Sequence, residues 1–263
     1  MPETTLPRLM ATLRATLTAA VVFLYVLVVG APVTLYAWLT GRIMPIYRIA
    51  QGGIWLGLWL AGIRFDVRGR ENIPRDRACV YMSNHQSNID PPLMFVLLPP
   101  RIAFIAKKDV FAVPVLGKAM HLADFVPIDR YDPEAARAAV EEALKHLRPG
   151  VSLIVYPEGT RSPDGRLQRF KHGVFVLALR AQAPIVPITV IGAEAIMPKK
   201  KWQIYPGRIQ VTVHPPVETR GRSLGDRAQL ALEVQRIIAA ALPPEKQPQP
   251  VPAEAASVRD ESL

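Results

Sequence analysis

No charged residue occurs between Arg14 and Arg42. A run of that length, including AVVFLYVLVVG and TLYAWLT, must be helical if it leaves water, because hydrocarbon offers the backbone no hydrogen-bond partner. At about 1.5 Å per residue, residues 15–41 are long enough for a hydrocarbon core of ~30 Å. Gly30 and Pro32 interrupt the run, so a kink or re-entrant hairpin is expected there. A second uncharged run, residues 49–63, is short for a span. Its Trp55 and Trp59 fall one helical turn apart, as in an interfacial helix. A cleaved signal peptide would need cutting after Val29-Gly30-Ala31, but Pro32 follows directly and the apolar character continues beyond it. Residues 1–63 therefore read as an N-terminal membrane anchor. Arg8 and Arg14 on one side face Arg42 and Arg48 on the other, which leaves the orientation open.

From Arg64 the pattern changes to short Val/Ile-rich runs alternating with helical ones. RFDVRG, ACVYMSN, RIAFIAK, DFVPI, VSLIVY, IVPITVI and RIQVTVH read as strands. DPPLMFVLL, the stretch around Pro114–His121, PEAARAAVEEALKHL, HGVFVLALRAQ and DRAQLALEVQRIIAAAL read as helices. Asp132, Pro133 and Glu134 supply cap, first-turn proline and dipole partner for the third of these. The alternation implies an α/β domain over residues 64–242: a layered, mixed sheet flanked by helices. Residues 243–263, with five prolines and no periodicity, read as a disordered tail.

The single cysteine, Cys79, excludes an internal disulfide, a CxxC pair and a Cys-rich zinc site, and no metal is implied. The formal charge is +10. A body this basic calls for an anionic partner: nucleic acid, an anionic membrane surface or a phosphate-bearing substrate. No nucleic-acid module is recognisable, and the adjacent anchor selects the membrane.

Two polar clusters each follow a hydrophobic strand, where α/β sheets keep their sites. The first is Ser83-Asn84-His85-Gln86-Ser87-Asn88-Ile89-Asp90-Pro91. His85 and Asp90 lie about 140° apart on a helix and on opposite faces of a strand. They meet only if the chain turns between them; otherwise Asp90 is a helix cap and His85 a surface histidine. The second is Tyr156-Pro157-Glu158-Gly159-Thr160-Arg161-Ser162. Here Arg161 offers a planar fork for phosphate and Gly159 a close backbone approach, unless the segment is only a turn.

Together, NHxxxxD and PEGTRS resemble the glycerolipid acyltransferases, of the 1-acylglycerol-3-phosphate acyltransferase type. Phe125–Arg130 is similar to a second block of that family and Ala183–Ile188 to a fourth; the resemblance covers roughly residues 64–214. Ile105-Ala106-Lys107-Lys108 looks like the lysine-bearing segment between the first two blocks. The resemblance implies that His85 is the base, oriented by Asp90. It also implies that Arg130, Arg161 and Lys107, with Gly159 and Thr160, hold the substrate phosphate, and that Glu158 either orients Arg161 or a substrate hydroxyl or has a purely structural role. It implies no cofactor, with acyl-CoA or acyl carrier protein thioester as co-substrate. The expected partners are membrane lipids and a lysophospholipid acceptor, with no nucleic acid. The expected place is the inner membrane, with the domain on the cytoplasmic side.

Three other readings compete. An acyltransferase for another lysolipid, such as lyso-ornithine lipid, would use the same residues. A non-catalytic lipid-binding protein would not need His85 and Asp90. A serine hydrolase is suggested by Gly221-Arg222-Ser223-Leu224-Gly225. That motif follows no strand, and all five histidines precede Ser223, opposite to the order such a fold needs. Lys199-Lys200-Lys201-Trp202 reads equally well as a solvated loop or as a contact for anionic head groups.

Overall fold

The computed structural model describes residues 5–99, 101–129 and 132–248. The uncharged run forms one rod. Helix α1 (Thr5–Tyr25) passes through a π-helical turn, Val26–Gly30, into α2 (Ala31–Thr40). The widened turn lies just ahead of Pro32, which has no N–H for an i→i−4 bond. The interruption expected at Gly30 and Pro32 is therefore absorbed without a hairpin. The chain reverses at Gly41, and α3 (Met44–Leu60) returns against α1. A Cβ on Gly53 would lie 2.6 Å from the Tyr25 ring, so glycine is what lets the two helices approach. The Tyr25 hydroxyl then donates to the Ile49 carbonyl at 2.9 Å.

Seven strands follow: β1 (Ile63–Arg68), β2 (Val80–Ser83), β3 (Ile102–Lys107), β4 (Val126–Ile128), β5 (Ser152–Val155), β6 (Ile185–Ile191) and β7 (Gly207–Val213). Their spatial order is β1-β7-β6-β2-β5-β3-β4. β6, β2, β5, β3 and β4 run parallel, while β7 is antiparallel to β6 and carries β1 parallel to itself. The sheet is thus mixed, as expected. β2 sits at its centre and is buried along its whole length, since helices cover both faces.

Strand pleating divides the core. Cys79 and Tyr81 point to one face with Ile154, Val186 and Ile188; that face is covered by α3, α4 (Asp90–Leu97) and α8 (Ala193–Ile196). Val80 and Met82 point to the other with Leu153 and Ile185, under α6 (Pro133–His146), α7 (Phe175–Ala181) and α9 (Arg227–Ala240). A short helix, α5 (Leu116–Leu122), lies between β3 and β4. Asp132 caps α6 as expected, accepting from the Glu134 and Ala135 amides at 2.9 and 3.2 Å. Cys79 is a buried free thiol.

The tail expected from residue 243 begins as ordered chain. Pro244–Lys246 forms a 3-10 turn, the Leu167 amide donates to the Lys246 carbonyl at 2.9 Å, and the Lys246 ammonium pairs with Glu194 at 3.2 Å. Lys246 thus has partners that an apolar count could not reveal. Residues 249–263 lie outside the described residues.

Candidate active site

The parallel strands β2, β5, β3 and β4 end at one edge of the sheet, so the loops that follow them meet there. β2 ends at Ser83, opposite Ile188, while its neighbour β6 runs on to Ile191. The Asn84 side chain fills the gap, donating to the Val190 carbonyl at 2.8 Å and accepting from the Val190 amide at 2.7 Å. An amide side chain carries both a donor and an acceptor, so it can stand in for a strand residue while the backbone turns away.

The turn brings His85 and Asp90 together: His85 Nδ1 lies 2.8 Å from Asp90 Oδ2. The same oxygen accepts the Gln86 and Ser87 amides, each at 2.7 Å. Asp90 opens α4 but caps no amide within it. Its carboxylate reaches backward into the loop, opposite to the capping role that spacing alone allowed. Asp90 is fully buried and His85 only 5% exposed. With Asp90 Oδ2 accepting from the loop amides, the same oxygen faces Nδ1 as an acceptor and so fixes the proton of the neutral His85 ring on Nδ1. Nε2 is then a lone-pair acceptor, with no protein partner among the described residues. The Tyr156 ring stacks on the imidazole, centroids 4.2 Å apart.

Glu158 reaches back to the histidine loop. It is buried, and Oε1 accepts the His85 amide at 2.7 Å. Oε2 accepts the backbone and side-chain N–H groups of Gln168, both at 3.1 Å. Both oxygens accept from the protein, and through them Glu158 ties the PEGTRS loop to the histidine loop. Burial pushes its carboxyl up to about 7, and the nearby Asp90 charge adds to this, against the pull of the three donors. A second tie runs from the Ser162 amide to the His85 carbonyl at 2.8 Å.

Gly159 adopts φ 71°, and a Cβ there would lie 3.0 Å from Lys171 Cε. Thr160 is exposed and its carbonyl accepts from Gln168. Arg161 is half-buried; its carbonyl accepts the Lys199 ammonium, while no described residue pairs with its guanidinium. Lys107 ends β3, two strands from β2 along the same edge, exposed and ion-paired to Asp109. The structure therefore does not bring Lys107 to His85. Arg130 lies outside the described residues. Ser223 has no nucleophile geometry: its hydroxyl and amide are engaged by Asp226 in a capping box.

Asn84, Tyr156 and Gln168 are parts of the site that sequence reasoning gave no role. Asn84 and Tyr156 stand inside the quoted clusters, whereas Gln168 carries no sequence signal.

A family model described as Acyltransferase matches residues 64–191. A 1-acyl-sn-glycerol-3-phosphate acyltransferase from Limnanthes alba is 37% identical over 200 residues, covering 71% of this chain and 70% of the relative. The chain belongs to this acyltransferase family. Another member, chloroplastic 1-acyl-sn-glycerol-3-phosphate acyltransferase BAT2 of Brassica napus, is 40% identical over 58% of this chain. The chain matches only 44% of that longer protein. Among solved structures, the 1-acyl-sn-glycerophosphate (LPA) acyltransferase PlsC from Thermotoga maritima is similar with a TM-score of 0.76 at 29% identity. That match covers 88% of this chain and 92% of the other. His85, Asp90 and the Tyr156–Ser162 loop of this acyltransferase all fall inside the matched segment.

Proposed function

We propose that the protein transfers a fatty acyl group from a thioester to the sn-2 hydroxyl of 1-acyl-glycerol-3-phosphate, producing phosphatidate for phospholipid synthesis. The observation that carries this reading is the His85–Asp90 pair, with Nδ1 fixed on a buried carboxylate and Nε2 open. His85 Nε2 takes the hydroxyl proton as that oxygen attacks the thioester carbonyl. Asp90 holds the tautomer and stabilises the imidazolium. The tetrahedral intermediate then expels the thiolate, and the imidazolium returns the proton to sulfur, so the histidine ends as it began. The thioester is already activated, so no acyl-enzyme is needed. Arg161, whose guanidinium has no partner among the described residues, takes the acceptor phosphate in this reading; Arg130 is assigned the same role by resemblance. The donor is acyl-CoA or acyl carrier protein.

The apolar rod supports membrane residence. Leu6, Leu13, Leu17, Phe23, Leu24, Val28, Trp38 and Leu39 are exposed, as are Trp55 and Trp59 of α3. Yet Ala11, Ala15, Thr34 and Ala37 are buried against the rest of the chain. Those residues stretch over about 40 Å of helix, more than the ~30 Å of a hydrocarbon core. A rod that keeps the domain at both its ends lies along one leaflet and does not cross the bilayer. The cytoplasmic face of the inner membrane is where acyl thioesters are available.

The test is acyl transfer from acyl-CoA by membranes containing the protein, with lysophosphatidate offered beside a lysolipid lacking phosphate. Product from lysophosphatidate alone supports the proposal. Product only from the other acceptor moves the chain to a different acceptor class and removes the phosphate role of Arg161.

A further inference from the structure

The segment between α8 and β7, residues 197–205, has no regular structure, yet it touches three parts of the molecule. The Ser87 hydroxyl donates to the Met197 carbonyl at 2.9 Å, and the Lys199 ammonium donates to the Arg161 carbonyl. Both polar loops of the active site therefore rest on it. Its other end lies along α1. The Ile204 amide donates to the Ala11 carbonyl at 3.2 Å, Gln203 Nε2 to Thr12 Oγ1 at 3.1 Å, and Trp202 Nε1 to Thr16 Oγ1 at 3.2 Å. Arg14 returns a bond to the Ile204 carbonyl at 3.4 Å.

These contacts hold the segment against α1 around Arg14, the last charge before the uncharged run, and so beside a rod that lies in one leaflet. Trp202 is 52% exposed with its indole nitrogen satisfied, the arrangement tryptophan adopts at the head-group level. Next to it Lys200 and Lys201 are exposed, and no described carboxylate pairs with either. Lys200 holds φ 65° within a turn closed by the Lys201 amide on the Pro198 carbonyl. That conformation is strained for a lysine, whereas glycine would adopt it freely.

We propose that residues 197–205 form a binding site for anionic phospholipid head groups of the bilayer, contacted by Lys200 and Lys201. This rests on the membrane-lying reading of α1. An acidic protein would also suit two lysines. The bilayer fits better because exposed Leu13 and Leu17 share the turns of α1 that hold the segment, and a protein surface complementary to the lysines would face them too. The anionic lipid thus sits one residue from the lysine that props the Arg161 loop.

The test compares the full chain with the K200Q/K201Q variant, measuring partition onto vesicles at limiting lipid and low salt. The vesicles are phosphatidylcholine alone or mixed with phosphatidylglycerol. Wild type should bind the anionic vesicles more strongly. The variant should bind them about thirtyfold less well than wild type, about fivefold per lysine, with the gap closing in high salt. Both should bind neutral vesicles equally through α1 and α3. An equal loss on neutral vesicles would make the segment a brace for the anchor and overturn the proposal. So would unchanged binding to the anionic vesicles, or purified acyl carrier protein bound by wild type and lost in the variant at unchanged vesicle binding. Partition needs no turnover, so failure of the acyl-transfer reading leaves this result standing.

Discussion

Replacing Asp90 by Asn separates a carboxylate that works on the histidine from one that only shapes the loop. An Asn oxygen can still accept from the Gln86 and Ser87 amides and from His85 Nδ1, so the turn survives. Two things change. The amide nitrogen takes the place of Oδ1, which is buried with no partner among the described residues, and an unsatisfied buried donor costs ~1–3 kcal/mol. The charge facing the imidazolium also disappears. With charges about 4 Å apart and an effective dielectric near 20, that attraction is worth about 4 kcal/mol, roughly a thousandfold in rate. The assay is acyl transfer from acyl-CoA to lysophosphatidate, read as thiol release at saturating acceptor, with the thermal midpoint measured in parallel. The expected result is a midpoint lower by several degrees and a kcat lower by ~10³. A folded Asp90→Asn enzyme within tenfold of wild type would refute the argument, leaving Asp90 as a brace for two amides.

Three other outcomes are expected. His85→Ala should lower kcat by about 10²–10⁴ without preventing folding, checked by the same assay beside circular dichroism. Arg161→Ala should raise the acceptor KM by ~10–100-fold with little change in kcat or stability, because its guanidinium holds no described residue and its carbonyl stays to receive Lys199. Glu158→Gln should turn an amide N–H toward a donor, either His85 or Gln168, and so disturb the histidine loop. It should also remove a pH dependence: the folded carboxyl is raised from 4.5 to about 7, so its contribution is full below pH ~4.5 and lost as pH rises through 7. The wild-type unfolding free energy should therefore fall by ~3 kcal/mol over that window relative to the variant. Parallel curves for the two proteins would overturn the raised value.

What the sequence revealed depended on whether the cause was periodic. All seven strands stand where Val/Ile runs predicted them: inner strands such as β2 and β6 bury both faces and so carry continuous apolar runs, while β1 and β7 show the alternation of half-covered strands. The Asp132 cap was legible for the same reason: its partners are its own neighbours in sequence. The partners of Glu158 were not legible because they are not local. Its oxygens are fixed by His85, seventy-three residues away, and by Gln168, and only the pairing of β2 with β5 puts those groups within reach. The motif told which residues gather, and not which of them face inward to the protein. That distinction decides chemistry here. Asp90 and Glu158 are both buried carboxylates beside one histidine, but Asp90 bonds the ring and Glu158 the backbone. The first can stabilise a charge that appears on the imidazole during reaction, and the second can only hold the ring's position.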